Sequence, residues 1–532
     1  MGSKFYRYYV LGLLMIIYAV NFLDRQVITI VAPWLKADLG VSDAQLGLLF
    51  GTAFALFFSV FGIPIAKLAD GWSRVRTIAT GLAFWSGMTT LSGLASSFIQ
   101  LGGARIGVGV GEASASPAAY SLLQDYFPKR QRASALALYS SGIYIGSGAS
   151  LIFGGAIIKY WETHYTPATA PYGLAGWQAT FIAFGLPGLV LALLMLLTVR
   201  EPVRGAVDGL PSTGDPQPFR SVLTEFASMV PPWNLVAFAR STEGRRAVAR
   251  SLIIGAILIA AATLTIHVTD SFLAPEKRAV IATVSGFAFT TNTVQWIAIA
   301  LGLYCVSSWL QSVRLRDAPF YGMIANRAVL SLTLAGGMLS FISYGLSPFL
   351  FLYIKQRYAV GAEAGLTLGW IAAVGGGLGA TTGGFLADWC KTKHPAGRIY
   401  MVMVTTTLSA IGIVIGFYAD SLNAFFVAIA FQLFIHIFWL GPCAASIQDL
   451  VLPRMRGMAA ATLFLGTGII GLGLGPYLVG LTSDVTGDLR LAMISTVGLI
   501  PLILVCLFIA ARALPGLEVS LVDRARLAGE AV

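Results

Sequence analysis

Charge is scarce in this chain. Asp, Glu, Lys and Arg together make up 11% of 532 residues, while hydrophobic types make up 57%. Soluble globular proteins carry about 25% charged residues, so a water-soluble domain is excluded, and the mean hydropathy of +0.78 agrees. Histidine is scarcer still: His164, His267, His394 and His436 lie in separate segments, with no HExxH pair to suggest a zinc enzyme. Cys305, Cys390, Cys443 and Cys506 stand singly, which excludes a disulfide framework and a CxxC metal site. No Walker sequence is present, so ATP is not expected to drive the protein, and no cofactor or metal is expected. The net charge of +11 would suggest nucleic acid in a soluble chain. Here the Lys and Arg residues fall between apolar runs, where membrane orientation requires them, and no nucleic-acid partner is expected.

Long apolar runs fill most of the sequence. A helix needs about 20 apolar residues to cross a bilayer, and that measure gives fourteen spans. They lie near 8–32, 44–66, 77–96, 98–124, 134–159, 177–199, 250–268, 281–311, 326–354, 365–388, 399–418, 422–449, 457–482 and 490–512. Lys67/Arg74/Arg76, Lys129/Arg130/Arg132, Lys391/Lys393/Arg398, Arg454/Arg456 and the stretch 200–250 occupy alternate loops. These loops are therefore expected in the cytoplasm, together with both termini. Lys4 and Arg7 before an apolar run imitate a signal peptide, but the run leads into Asn21–Arg25 without a cleavage site and reads as a retained first helix. The linker GAVDGLPSTGDPQP precedes Phe219, Val222, Leu223 and Phe226 at helical spacing, which predicts a short interfacial amphipathic helix. The tail beyond Pro515 is polar and expected to be poorly ordered.

Charge inside the spans is concentrated in two of them. Asp24 and Arg25 sit in the first, Arg105 and Glu112 in the fourth. Each costs roughly 3 kcal/mol at the bilayer centre on insertion scales, so such residues are retained for partners and function. Asp24 and Arg105 are expected at similar depth, facing each other as an ion pair, with Glu112 deeper on the Arg105 face. A guanidinium does not release its proton, which leaves Asp24 and Glu112 as the proton carriers, with Arg25 and Arg105 as their partners. A purely structural lattice tying the two helices is the alternative.

The chain also repeats itself. QDYFPKRQRASALA from Gln124 returns as QDLVLPRMRGMAAA from Gln448, and AKLAD (Ala66–Asp70) returns as GFLAD (Gly384–Asp388) at nearly the same displacement. Two similar six-helix halves follow, with the spans at 250–311 inserted between them as a hairpin that is expected to be dispensable for the working cycle. The loop AKLADGWSRVR (Ala66–Arg76), the RIGVGVGE run (Arg105–Glu112) and the glycines of SGIYIGSGASLIFGG (Ser141–Gly155) resemble, in order, the motifs of the major facilitator superfamily. NFLDRQ (Asn21–Gln26), RIGVGVGEAS (Arg105–Ser114) and YFPKRQRASAL (Tyr126–Leu136) are similar to its spinster-like branch, which includes transporters of sphingoid and lysophospholipid-type amphiphiles.

The resemblance implies an all-α polytopic membrane fold: residues 1–200 as a first six-helix bundle, 201–318 as a cytoplasmic linker with the inserted hairpin, 319–516 as the second bundle and 517–532 as a cytoplasmic tail. It also implies a conformational latch formed by Asp70, Arg74, Arg76 and Asp388. Tyr18 and Asn21 share a face with Arg25 and are expected at the substrate cavity. The repeat carries Glu112 onto His436, which shares a face with Gln432 and Trp439; Tyr344 is added to the same set. A charged first half and an aromatic, apolar second half suit an amphiphile. The expected function is proton-coupled secondary transport of a lipid-like or hydrophobic organic molecule by alternating access. A proton symporter of a small organic acid is the first alternative, with a passive channel or membrane-embedded enzyme behind it. The expected partners are the lipid bilayer, the substrate and protons. The expected location is the cell membrane, the inner one in a Gram-negative cell, as a multi-pass monomer.

Overall fold

The structure, a computed structural model, describes residues 4–166, 168–204, 215–452 and 456–527. Most of the expected linker (205–214) and Arg454 lie outside the described residues. The first helix, α1 (Lys4–Leu39), is 36 residues long. At 1.5 Å per residue it measures about 54 Å, well beyond the ~30 Å hydrocarbon layer. It therefore extends past the expected 8–32 at both ends, and Asp24 lies farther from its outer end than the shorter span implied.

Ser42 starts α2 with a capping box, accepting from the Gln45 amide while Gln45 accepts from Ser42. The helix runs through Asp43–Gly47, a π-helical stretch at Leu48–Thr52, and Ala53–Gly71. Ser73 caps α3 (Arg74–Ser92), and Ser97 caps α4, which runs Phe98–Glu112, breaks, and resumes at Ala115–Tyr126. Next come α5 (Lys129–Ser140, then Gly142–His164) and α6 (Gly176–Thr198). The expected amphipathic helix is α7 (Pro218–Met229). Its Phe226 packs on Phe61 and its Phe219 on Trp72, while Phe219 and Leu223 stay more than half exposed. After α8 (Trp233–Ala239) the hairpin begins with α9 (Arg245–Phe272).

The hairpin differs from expectation at its turn. Residues 281–290, counted into a span for their apolarity, form β1 (Val280–Val284) and β2 (Phe287–Thr290), paired antiparallel. Ser285 and Gly286 both have positive φ (50° and 82°), the geometry of a tight primed turn. The second helix, α10 (Thr291–Arg316), starts only where Thr290 caps it. A short α11 (Ala318–Ile324) leads to α12 (Arg327–Tyr358). The remaining elements are α13 (Ala364–Trp370, π-helical Ile371–Gly375, Gly376–Lys393), α14 (Gly397–Phe417) and α15 (Leu422–His436, continued to Gln448). They are followed by α16 (Arg456–Gly466, π-helical Thr467–Leu474, Gly475–Thr486) and α17 (Leu489–Ser495, continued by Ile500–Val519). As far as residue 527 the tail is helical: α18 (Leu521–Leu527) buries Ala525, and Arg524 donates to the carbonyls of Leu450 and Leu517, each at 2.9 Å.

Twelve helices among the described residues are long and apolar enough to cross a membrane. The other two expected spans, in α3 and α4, are helical but fall outside that set. The α3 helix is 19 residues long and opens on Arg74 and Arg76; α4 is interrupted at Ala113–Ser114 and holds Arg105 and Glu112. The chain divides into two compact units, one formed by Met1–Val41, Ala53–Phe226 and Leu350–Ala373, the other by Ser42–Thr52, Ala227–Phe349 and Val374–Val532.

Within the second unit the hairpin is bonded into its surroundings. Gln295 of α10 is fully buried, and its amide donates to the Gly473 carbonyl at 3.0 Å. The Thr52 hydroxyl donates to the same carbonyl at 2.5 Å, with its oxygen 2.6 Å from Gln295 Oε1. Thr52 and Gly473 lie in two of the π-helical stretches, where the α ladder is interrupted. A Cβ on Gly51 would fall 2.3 Å from the Leu472 carbonyl, so the backbones touch there. Removing one partner from a buried polar group costs about 1–3 kcal/mol. Gln295→Ala is therefore expected to lower the melting temperature in detergent, whereas Ile257→Ala on the exposed face of α9 leaves it unchanged. Equal melting of the two variants would show that the hairpin is peripheral.

Candidate functional site

Glycine brings α4 close enough to its neighbours to bury four charges. A Cβ on Gly109 would lie 2.7 Å from the Phe54 carbonyl of α2, and one on Gly111 2.9 Å from the Trp85 amide nitrogen of α3. Small residues of this kind permit tight helix packing inside a membrane. As a result Asp24 and Arg105 are 0% exposed, Glu112 1% and Arg25 6%.

The pairing inside this cluster differs from the expected one. Arg25 Nη2 lies 2.7 Å from Glu112 Oε2, and its Nε donates to the same oxygen at 3.2 Å. Arg105 Nη1 donates instead to the backbone carbonyl of Asp24, at 3.1 Å. The reason is directional: helical side chains lean toward their own N-terminus. On α1 that carries the long Arg25 side chain toward the level of Glu112, two turns beyond Arg105 on α4. The Asp24 carboxyl group is buried against the Trp85 indole and the Thr89 hydroxyl, its two neighbouring donors, and forms no ion pair with a guanidinium among the described residues. The buried Asn21 amide lies beside Glu112 as a neutral donor. The Arg25 guanidinium is also packed on rings, 4.5 Å from Phe54, 4.6 Å from Phe22 and 5.1 Å from Phe58; Phe54 reaches Arg105 at 5.9 Å. Tyr18 stacks on Tyr139 at 4.4 Å.

In the second unit, Gln432, His436 and Trp439 are buried and Tyr344 is half-buried. His436 lies 3.2 Å from Ser409 Oγ through Nδ1 and 3.1 Å from the Leu339 carbonyl through Nε2, and Gln432 reaches the same serine at 3.4 Å. Both ring nitrogens are thus occupied by the protein itself. Trp439 lies against Gly336, where a Cβ would approach its ring to 3.2 Å.

The expected latch residues separate into two clusters. In the first unit Arg74, 1% exposed, pairs with Asp125 and with Glu201 (2.7 Å), and donates to the Ser121 and Pro202 carbonyls. Arg76 is exposed, and the side chain of Asp70 lies outside the described residues. In the second unit Arg398 pairs with Asp388 (2.6 Å) and Asp449 (2.8 Å), while Lys391 joins Asp449 to Glu518. Asp125, Glu201, Asp449 and Glu518 were not among the expected residues. The repeat held the signal for two of them, because Asp125 and Asp449 occupy the same place in its two copies.

The sequence matches the model of the Major Facilitator Superfamily over residues 14–476. The chain belongs to this superfamily. A crystal structure of a bacterial homolog to the human lysosomal transporter Spinster, in an inward-facing and unoccupied conformation, matches with a TM-score of 0.69. Identity is 26%, and the match covers 97% of this chain and 99% of that one. Protein spinster homolog 1 of Homo sapiens is 32% identical over 210 residues, which are 37% of this chain and 35% of that protein. An MFS-type efflux pump of Mycolicibacterium smegmatis is 25% identical over 479 residues, 90% of this chain and 85% of its own. The protein is thus a multi-pass membrane transporter of the facilitator type, related to the spinster branch, and not an enzyme.

The geometry of the pair sets a testable order of stabilities. Arg25→Ala leaves Glu112 buried without its cation, and breaking such a pair costs about 3–5 kcal/mol. The double variant Arg25→Ala with Glu112→Gln removes that uncompensated charge and is expected to melt higher in detergent than Arg25→Ala alone. If the double variant melts no higher, the two residues do not depend on each other.

Proposed function

We propose that the protein is a proton-coupled secondary transporter that moves an amphipathic, lipid-like or hydrophobic organic molecule by alternating access. The observation that carries this reading is the buried quartet Asp24, Arg25, Arg105 and Glu112, set in helices whose other charges lie only near their ends. Only its two carboxyl groups can take up and release a proton, and they differ in partner. Glu112 is held by Arg25 through one oxygen, while the Asp24 carboxyl group faces the neutral donors Trp85 and Thr89 and forms no ion pair among the described residues. A proton on Glu112 weakens its hold on Arg25 and frees the guanidinium to move; Arg105, held on the Asp24 carbonyl, is the nearby cation that can answer the change. Proton occupancy is thereby tied to the packing of α1 against α4, a link of the kind that coupling requires.

Substrate contacts are assigned to Tyr18 and Asn21 in the first unit and to Gln432, His436, Trp439 and Tyr344 in the second. The rings of Tyr18, Trp439 and Tyr344 suit a hydrophobic body and the polar Asn21, Gln432 and His436 a polar head, and the relationship to the spinster branch supports the same class. The Arg74 and Arg398 clusters, with Arg76, Asp70 and Asp388 beside them, are assigned to conformational control. The topology we infer has fourteen spans, an inserted hairpin of α9 and α10, and both termini in the cytoplasm, in a monomer of the inner or plasma membrane. The basic residues in alternate loops support it.

Glu112→Gln keeps the side-chain shape without a titrating proton. In liposomes it is expected to abolish uptake driven by a pH gradient while leaving substrate counterflow at least partly intact. Unchanged pH-driven uptake would remove Glu112 from the coupling path.

A further inference from the structure

One end of the inserted hairpin carries a feature that transport does not use. Where α9 begins, an open cavity of about 520 Å³ is lined by Thr242, Glu243, Arg245, Arg246, Arg250 and Arg314. Four guanidiniums face a single carboxylate. Glu243 engages Arg250 at 3.1 Å and Arg314 at 3.6 Å, while Arg245 and Arg246 are exposed and form no ion pair among the described residues. The walls are fixed from behind. Gln311 of α10 donates to the Ala247 carbonyl at 2.7 Å, and the buried Asn234 amide donates to Ser308 at 2.8 Å and Tyr304 at 2.9 Å.

The surface next to the cavity changes character within one turn. Beyond Arg250, α9 turns outward Leu252 (53% exposed), Ile253 (60%), Ile257 (61%) and Ile259 (68%). The rise from Arg250 to Ile257 is about 10 Å, the distance from headgroup depth into the acyl region. Membrane orientation alone requires a number of positive charges in a loop; it does not require a recess with an apolar runway leading out of it.

We propose that this cavity binds the phosphate headgroup of an anionic phospholipid whose acyl chains lie along the exposed face of α9. Guanidinium forks match phosphate oxygens in pairs, which an ammonium does not reproduce. Basic pockets at the cytoplasmic edge of membrane helices suit such headgroups.

The test uses the purified full-length protein in non-ionic detergent, melted in the presence of short-chain phosphatidylglycerol, phosphatidylcholine of the same chains, or inorganic phosphate. Phosphatidylglycerol is expected to raise the melting temperature in a saturable way, with phosphatidylcholine and phosphate giving little shift. Arg245→Gln with Arg246→Gln should weaken the apparent affinity by about tenfold or more, and Arg245→Lys with Arg246→Lys should fall between that variant and the parent. Lys4→Ala with Lys159→Ala, which removes two exposed charges elsewhere, should leave the affinity unchanged. The proposal is overturned if phosphatidylcholine or phosphate alone reproduces the shift, or if the Gln pair binds as tightly as the parent. It also fails if the Lys4/Lys159 control loses as much affinity as the Gln pair.

Discussion

The contact between Arg25 and Glu112 is the constraint around which the first unit is arranged. An ion pair taken out of water is stable only where its geometry is good and its remaining hydrogen-bonding positions are served. Here one carboxylate oxygen receives two guanidinium nitrogens, and three aromatic rings pack on the cation. The arrangement depends on Gly109 and Gly111, since a Cβ at either would separate α4 from α2 or α3. The break of α4 directly after Glu112 belongs to the same neighbourhood, with the Ser114 hydroxyl donating back to the Gly111 carbonyl.

One carboxyl group of the quartet, that of Asp24, is without a paired cation among the described residues, and that separates it from the charge clusters at Arg74 and Arg398. Arg74 meets two carboxylates and two carbonyls, and Arg398 meets two carboxylates. Asp24, by contrast, forms no ion pair among the described residues and is bordered by the neutral donors Trp85 and Thr89. Polar groups buried without partners are costly, and such costs concentrate at functional sites.

Much of this could be read before the fold was seen. The four membrane charges, the glycine run between Arg105 and Glu112 and the repeat around Asp125 and Asp449 are all plain in the sequence. The partner of Arg25 was not, because depth along a helix axis locates a Cα while a long side chain reaches a turn or more away. The start of α10 was misread because Val280–Thr290 is as apolar as a span, and apolarity alone does not separate a strand pair from a helix segment. The burial of Gln295 was invisible for another reason: its partners, Thr52 and Gly473, are remote in sequence and lie in π-helical stretches that no local pattern announced.

The proposed coupling between a proton gradient and the two buried carboxyl groups is tested most directly by accumulation of substrate. Liposomes holding the purified protein, given a pH gradient and a labelled lysophospholipid or sphingoid base, are expected to concentrate the substrate beyond its equilibrium distribution. A protonophore should collapse that excess. Uptake that stops at the equilibrium distribution with the gradient intact, and is indifferent to the protonophore, would contradict proton coupling.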